Sequence, residues 1–598
     1  MPTYRAPVQD VRFVLNDVLH MNNYANLPGF SEASPDLVEA VLGEAAKIME
    51  EVIQPLNQVG DQQGCKFDAG KVTTPKGFKE AYDKFCAGGW TGLTADTEYG
   101  GQGMPHVLGF VISEMMTSAN MAFGMYPGLT HGAYEAIYAH GNDEQKRAYL
   151  PKMISGEWAG TMNLTEPNCG TDLGLMRTKA EPQPDGSYKI TGTKIFISAG
   201  EHDMTSNIIH LVLAKIPGGP EGIKGVSLFI VPKFMVKADG TLGARNGVAC
   251  GSIEHKMGIH GNSTCVLNYD NAVGYLLGEK HKGMRAMFTM MNAARLGVAI
   301  QGIGIGEVAY QNAVTYARER LQGRAITGTK SPDKPADPII VHPDVRRMLL
   351  DMRSFLEGAR ALALWAGLLI DFARKHPDEG ERVAADELLA LLTPMLKSYF
   401  TERGYDAASW AQQIYGGHGY IREHGMEQFV RDARIAMLYE GANGIQALDL
   451  VGRKLPQGYG RLLRRFMHPL DQFLRDNMTD AKIGKDFVQP LFKSFARFQT
   501  ASAFVAEQGL KNPDEAGAAS ADYLKLFALV ALGYMWARMA KAAHEKLASG
   551  ANGEQGFLET KLVTGRYFME RVLPDTASLL ARIQAGSRTI MELDAAAF

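Results

Sequence analysis

The apolar positions along the chain change their spacing twice. From about Pro35 to Trp158 they recur at intervals of three and four, as in Leu37, Val38, Val41, Leu42, Ala45, Ile48 and Met49, with Gly and Pro clusters between segments. That period predicts a helical first part. From about Ala159 to Glu279 the pattern becomes short runs bounded by turn residues: Tyr188 to Gly192, Lys194 to Ser198, Ile208 to Leu213, Val226 to Val231 and Cys265 to Leu267, with turns at Pro184-Asp-Gly and Pro217-Gly-Gly. These runs predict β-strands. From Gly283 the helical period returns over Met284 to Leu321, Val345 to His376 and Ala384 to Gly416, after a connection marked by Pro332, Pro335, Pro338 and Pro343. Past Leu455 a further helical stretch follows (Leu462 to Leu474, Ala516 to Leu547, Phe557 to Ile583), and no internal repeat is visible.

The pattern therefore divides the chain into an N-terminal extension (1–34), a helical domain (35–158), a β domain (159–279), a second helical domain (280–455) and an appended helical domain (456–598). A length of 598 residues is ample for several domains of roughly 100 to 200 residues. Lys plus Arg number 62 and Asp plus Glu 65, a balance that speaks against an electrostatic nucleic-acid binder, so an anionic ligand needs a local site. Five cysteines without a C-x-x-C pair fit a reducing compartment. The N-terminus lacks an apolar signal-like stretch, and the run Leu526 to Trp536 is shorter than the ~20 residues that cross a bilayer. These features lead to the expectation of a cytoplasmic protein without a transmembrane span.

Several segments carry candidate chemistry, each with a plainer alternative. Residues Thr161 to Asp172 place hydroxyls at Thr165 and Thr171 in a turn that could present N–H groups to a polar planar ligand, or simply cap the strand. Phe196 and Ser198 fall on one side of a strand, as a wall for an aromatic ring system or as core packing. The turn Gln413-Ile-Tyr-Gly-Gly-His-Gly-Tyr420 lets backbone approach a phosphate or another chain, or ends a helix. Gly302-Ile-Gly-Ile-Gly306 lies in a helical pattern and is not a dinucleotide fingerprint. His255 and His260 lack supporting ligands, so no metal is expected. Glu440 follows the apolar run Ile435 to Leu438 and precedes Gly441. It reads either as a general base beside space for a substrate or as a solvated helix end. Met115, Met116, Met121, Phe123 and Met125 could line an acyl pocket or form core.

Taken in order, Tyr99-Gly-Gly-Gln-Gly, Glu144-Gln-Lys, Tyr149-Leu-Pro, Ser155-Gly-Glu-Trp, Leu164-Thr-Glu-Pro, Gly170-Thr-Asp, Gly192-Thr-Lys, Gln413 to Tyr420, Arg431-Asp and Tyr439-Glu-Gly resemble the acyl-CoA dehydrogenase family over about residues 35–450. The opening Tyr4-Arg-Ala-Pro-Val-Gln-Asp and the C-terminal extension are similar to an enlarged bacterial branch that includes 3-(methylthio)propanoyl-CoA dehydrogenases. The resemblance implies an α+β fold: N-terminal helical domain, central β barrel, C-terminal helical bundle and appended helical domain. It also implies FAD, an acyl-CoA substrate, an electron-transferring flavoprotein as acceptor, and a homodimer or dimer of dimers.

Carried over residue by residue, the resemblance implies Leu164, Thr165, Thr171, Phe196 and Ser198 beside the flavin, with Phe196 where Trp is more common. It implies Arg320, Gln413, Gly416 and Gly417 as cofactor contacts across a dimer, although Leu321-Gln-Gly-Arg lacks the family's usual Phe. Glu440 matches the base, with Gly441, Arg295, Met121 and Phe123 toward the substrate. Asn292 stands where Asp is usual, and Ala442 where Thr is frequent. The expected reaction is α,β-dehydrogenation of an acyl-CoA to a trans-2,3-enoyl-CoA, on 3-(methylthio)propanoyl-CoA or on a medium- or long-chain fatty acyl-CoA. An acyl-CoA oxidase and a non-catalytic helical interaction protein are the alternatives.

Overall fold

Alternating apolar runs in the middle of the chain close on themselves. In this computed structural model, which describes residues 2–550 and 553–598, eleven strands form: β1 (Lys66–Asp68), β2 (Lys71–Thr73), β3 (Trp158–Asn163), β4 (Lys179–Pro182), β5 (Tyr188–Ser198), β6 (Asn207–Lys215), β7 (Val226–Pro232), β8 (Phe234–Val236), β9 (Leu242–Arg245), β10 (Val248–Ile253) and β11 (Thr264–Leu277). β11 pairs with β5, β5 with β4, β4 with β6, β6 with β7 and β7 back with β11, so five strands make a closed ring, with β10 and β3 added outside it. Closure leaves none of the five with a free edge. This is the expected central β barrel.

Strands β6 and β7 are buried on both faces, which explains their near-continuous apolar sequence. Val212, Ala214, Phe229 and Val231 join one core with Ile190, Ile197 and Leu267, while Leu211, Leu213, Leu228 and Ile230 join another with Ala133, Ile137, Met287 and Met290. The period of two along each strand sorts its side chains between the two cores. Hydrogen bonds from Tyr269 to Asn163 (3.0 Å), from Asn163 to Thr161 (2.8 Å) and between Thr161 and His210 (2.7 Å) satisfy the polar groups within this apolar setting.

The chain packs into two compact units. The first comprises Met1–Ala46, Pro105–Glu114 and Val298–Phe598, and the second Lys47–Met104 and Met115–Gly297. The second unit holds the barrel. It also holds the β1–β2 hairpin, inside a stretch whose sequence reads as helical. Three-residue strands are too short to show a period, and the turn rests on Ala69 and Gly70, both at left-handed φ (45° and 81°). In the same unit the helical pattern through Met115 to Met125 is broken at Asn120 (φ −163°, ψ 96°), whose Oδ1 accepts from the Phe123 N–H at 3.0 Å and caps a new helical start.

The first unit is helical. Long helices at Pro343–Lys375, Glu379–Tyr415 and Pro513–Ala548 carry its core. Pro513–Ala548 is long and apolar enough by length and composition to cross a membrane, and 67% of its apolar window is buried within the fold. At the centre of this unit the buried Arg360 donates to Glu114 (2.6 and 2.8 Å), to Glu307 (2.7 Å) and to Asp10, and the buried Lys561 donates to Asp10 and to Glu357 (2.6 Å). Asp10 belongs to the N-terminal extension and Lys561 to the appended helices, so this cluster ties both to the bundle. Burial raises the pKa of Glu114 despite the opposing Arg360 charge.

Candidate active site

The residues singled out by the sequence divide between the two units. In the barrel unit, the loop after β3 is pinned to β5. Lys194, whose side chain is fully buried, donates from Nζ to the Leu164 carbonyl (3.0 Å) and to Glu166 Oε1 (2.9 Å), and the Ile195 N–H donates to the Thr165 carbonyl (2.9 Å). Glu166 also accepts from the backbone of Arg177 (2.6 Å) and Thr178 (3.1 Å) and from the Thr178 hydroxyl (2.5 Å). Burial alone would raise the Glu166 pKa, but the Lys194 charge and these donors hold it below the usual carboxylate range. Leu164 and Thr165 are half-buried, and Thr171 is exposed in the same loop.

Next to this loop the β5–β11 ladder shifts register: Ile197 faces Cys265 but Lys194 faces Leu267, so Ile195 and Phe196 together oppose one residue. The bulge puts Phe196 at φ 59° and leaves the residue 59% exposed, while Ile197 stays buried and Ser198 half-buried. An aromatic ring turned outward by a strained backbone, beside loop carbonyls and hydroxyls, is not core packing. The hydrogen bonds of Lys194 and Ile195 to the Leu164 and Thr165 carbonyls bring that loop beside the strand segment that carries Phe196 and Ser198.

Also in this unit, Arg295 is buried, with its guanidinium 5.8 Å from the centre of the Phe288 ring and donating to Asn292 Oδ1 at 3.4 Å. Asn292, the departure from the family's Asp, thus still accepts from the arginine. Met121 and Phe123 are buried core, Phe123 packing edge-on against Phe78 at 5.5 Å between ring centres.

In the helical unit Glu440 lies in the turn between helices Met426–Ile435 and Asn443–Asp449. It is half-buried, and its φ of 57° is left-handed, a conformation that costs a non-glycine residue roughly 1–2 kcal/mol. Gly441 follows at φ 84°, where an added Cβ would sit 2.6 Å from Gln446 Nε2. Gln446 donates to the Glu440 and Gly441 carbonyls (3.1 and 3.3 Å), and the fully buried Lys397 donates to the Gly441 carbonyl (2.8 Å) and Asn443 Oδ1 (2.9 Å). The Tyr439 hydroxyl donates to Gln301, and burial with the nearby Glu440 charge raises its pKa strongly. The Glu440 carbonyl is held by Gln446 and the Gly441 carbonyl by Gln446 and Lys397.

The same unit brings Arg320 and the glycine-rich turn together. Tyr316, one helical turn before Arg320, stacks on Tyr415 at 4.0 Å between ring centres and shares a 2.9 Å hydrogen bond with His418. Arg320, Gln413, Gly416 and Gly417 are all exposed, and a Cβ added to either glycine would meet nothing within 4 Å.

Lys397, Lys194 with Glu166, Asn443 and Gln446 hold the backbone of the candidate segments and were not singled out by the sequence reading. A signal existed for one of them: Lys397 falls in the largely apolar run Leu391 to Phe400, a position where a lysine survives only with partners.

The order of parts along the chain, helical, β barrel, helical, is the one that the acyl-CoA dehydrogenase resemblance implies. Comparison with known proteins agrees. Four family models match in order: the acyl-CoA dehydrogenase N-terminal domain over residues 36–157, the middle domain over 161–272, the C-terminal domain over 281–455, and an acetyl-CoA dehydrogenase C-terminal-like domain over 466–594. The chain is 43% identical to the 3-methylmercaptopropionyl-CoA dehydrogenase of Ruegeria pomeroyi, covering 97% of this chain and 98% of that protein, and 34% identical to a butyryl-CoA dehydrogenase of Syntrophomonas wolfei, covering 100% and 99%. An acyl-CoA dehydrogenase from Bacillus anthracis, solved with FAD, has a similar fold (TM-score 0.75, 22% identity, 93% of this chain and 89% of that one). The chain belongs to the acyl-CoA dehydrogenase family, and its activity is of that oxidoreductase class.

Proposed function

We propose that this protein oxidises 3-(methylthio)propanoyl-CoA to its trans-2,3-enoyl-CoA, with FAD as redox cofactor and Glu440 as base. The observation that carries the reading is the Glu440 turn: a half-buried glutamate on a left-handed backbone, its own carbonyl bonded by Gln446 and the next carbonyl by Gln446 and Lys397. The likeness to the Ruegeria enzyme over nearly the full length of both chains supports the choice of substrate.

FAD, when bound, supplies the acceptor for the hydride that leaves Cβ. The residues present fit it: Phe196 offers an exposed aromatic side chain, the Leu164–Thr165 loop is bonded to the strand that also carries Ser198, and the Thr171 hydroxyl is exposed further along that loop. Arg320 offers a guanidinium for a phosphate, and Gln413, Gly416 and Gly417 an open backbone, which suits a cofactor contact shared across a homodimer or a dimer of dimers. Glu440 takes the α-proton, and the electron pair of that C–H bond becomes the new double bond. The proton is acidic enough to move only when the thioester oxygen is hydrogen-bonded as charge builds on it. Arg295 is assigned to the substrate side, whereas Met121 and Phe123, expected there from the sequence, pack as core. Electrons then pass to an electron-transferring flavoprotein, and the free cysteines suit a cytoplasmic location.

The test is the visible spectrum of the purified holoenzyme under anaerobic conditions, before and after adding 3-(methylthio)propanoyl-CoA, butyryl-CoA, octanoyl-CoA or palmitoyl-CoA. Bleaching fastest with the thioether substrate supports the assignment, and preference for a fatty acyl-CoA replaces it. Glu440→Gln should keep flavin and lose bleaching. Peroxide formed in stoichiometric yield on turnover in air would make the enzyme an oxidase, and protein that cannot be reconstituted with FAD would make it non-catalytic.

A further inference from the structure

We propose that Lys397 is a positioning residue for Glu440: its ammonium, buried in the Glu379–Tyr415 helix, holds the turn that aims the carboxylate. The proposal rests on the reading of Glu440 as base. The turn needs a holder, because two consecutive residues, Glu440 and Gly441, are left-handed, and the first has a Cβ. A strained backbone persists only where its surroundings over-determine it. Here the determinants are visible. Lys397 Nζ donates to the carbonyl of Gly441 and to Asn443 Oδ1, and Asn443 in turn donates to the Ser398 carbonyl (3.1 Å) and the Thr401 hydroxyl (3.1 Å) on the same helix as Lys397. Gln446 grips the Glu440 and Gly441 carbonyls from the other side.

The energetics favour a functional role over a packing one. Burying an ammonium completely costs several kcal/mol before its partners repay it. A leucine or methionine would fill the space in this buried stretch of the helix without that cost. A lysine instead supplies more than one donor from a single point on a rigid helix, and spends two of them on the residue after Glu440 and on the residue that begins the next helix. Carbonyls clamped in this way fix the peptide planes on which the Glu440 side chain is mounted, and a displacement of 1 Å at a reacting group is enough to slow chemistry about 100-fold.

The experiment is anaerobic stopped-flow reduction of the holoenzyme by its acyl-CoA, for the unaltered protein, Lys397→Met, Asn443→Ala and Glu440→Gln, with flavin content and substrate dissociation constant measured for each. Lys397→Met should lower the limiting reduction rate about 100-fold while substrate affinity changes by less than about threefold. Its pH–rate profile should also move, because a carboxylate in a loosened turn has new surroundings. Wild-type limiting rate and pH midpoint in Lys397→Met, or a defect expressed wholly as weaker substrate binding, overturns the proposal. Should Lys397→Met fail to hold flavin, Asn443→Ala decides: it keeps the lysine but removes one of its acceptors. A loss of about tenfold in the reduction rate with flavin retained supports the proposal, and full rate overturns it. Rapid reduction in Glu440→Gln would instead sink the reading of the base, independently of what Lys397 does.

Discussion

Lys561 and Asp10, 551 positions apart, form a buried ion pair that joins the N-terminal extension to the appended helices. Burial opposes ionisation of Asp10, but Lys561 and Arg360 together hold its pKa below the usual carboxylate value. Removing one partner of such a pair leaves a buried charge uncompensated. Lys561→Met should therefore destabilise the protein by about 3 kcal/mol in denaturant unfolding. Unchanged stability would mean that the cluster relaxes around the vacancy.

Lys194 ties the Leu164–Glu166 loop to β5, the strand that carries Phe196. Replacing it with Met removes the loop's attachment and strands Glu166 in a buried place. Flavin retention after gel filtration should fall well below that of the unaltered protein, with at least about a tenfold weaker affinity on reconstitution. Full flavin content in the variant would assign the pair to packing alone.

Gly441→Ala tests the turn directly. The new Cβ would stand 2.6 Å from the Gln446 amide at a left-handed φ, so either the turn or Gln446 must shift. The backbone term alone is about 1–2 kcal/mol. The expected result is a protein that keeps its flavin and loses most of its reduction rate, read by the same anaerobic assay.

His260 gives a pH prediction. Its Nδ1 lies 3.0 Å from both the Asp61 carbonyl and carboxylate, its Nε2 2.8 Å from the Lys256 carbonyl, and the hydrogen bond to Asp61 raises its pKa to about 9. A histidine with a raised folded pKa stabilises fully below its unfolded pKa, near 6.5. That contribution is lost as pH climbs toward 9. The melting temperature of the unaltered protein should exceed that of His260→Gln at pH 6 and converge with it by pH 9.5. A constant difference across that range would assign the effect to shape and not to charge.

The distribution of these residues shows what could be read in advance. The barrel was legible because strands buried on both faces leave continuous apolar runs, as at Ile208 to Leu213. Glu440 with Gly441, and the segment Leu164 to Asp172, stood out because special chemistry recurs in short contiguous motifs. The β1–β2 hairpin was not legible, since three residues on each side of a turn set no period. Nor was the bulge that turns Phe196 outward, because alternation along a strand assumes an unbroken register, and the shift is decided by β11.

By itself, then, the sequence determined the class of fold, the order of its helical and β segments, and the family to which the glutamate belongs, because hydrophobic period and contiguous motifs are local properties. Only the tertiary structure decided which lysines matter. Lys194, Lys397 and Lys561 are each buried against acceptors drawn from other segments. A buried charge is tolerated only where the fold assembles partners around it, and those partners lie far away in sequence or in elements whose packing no local pattern encodes.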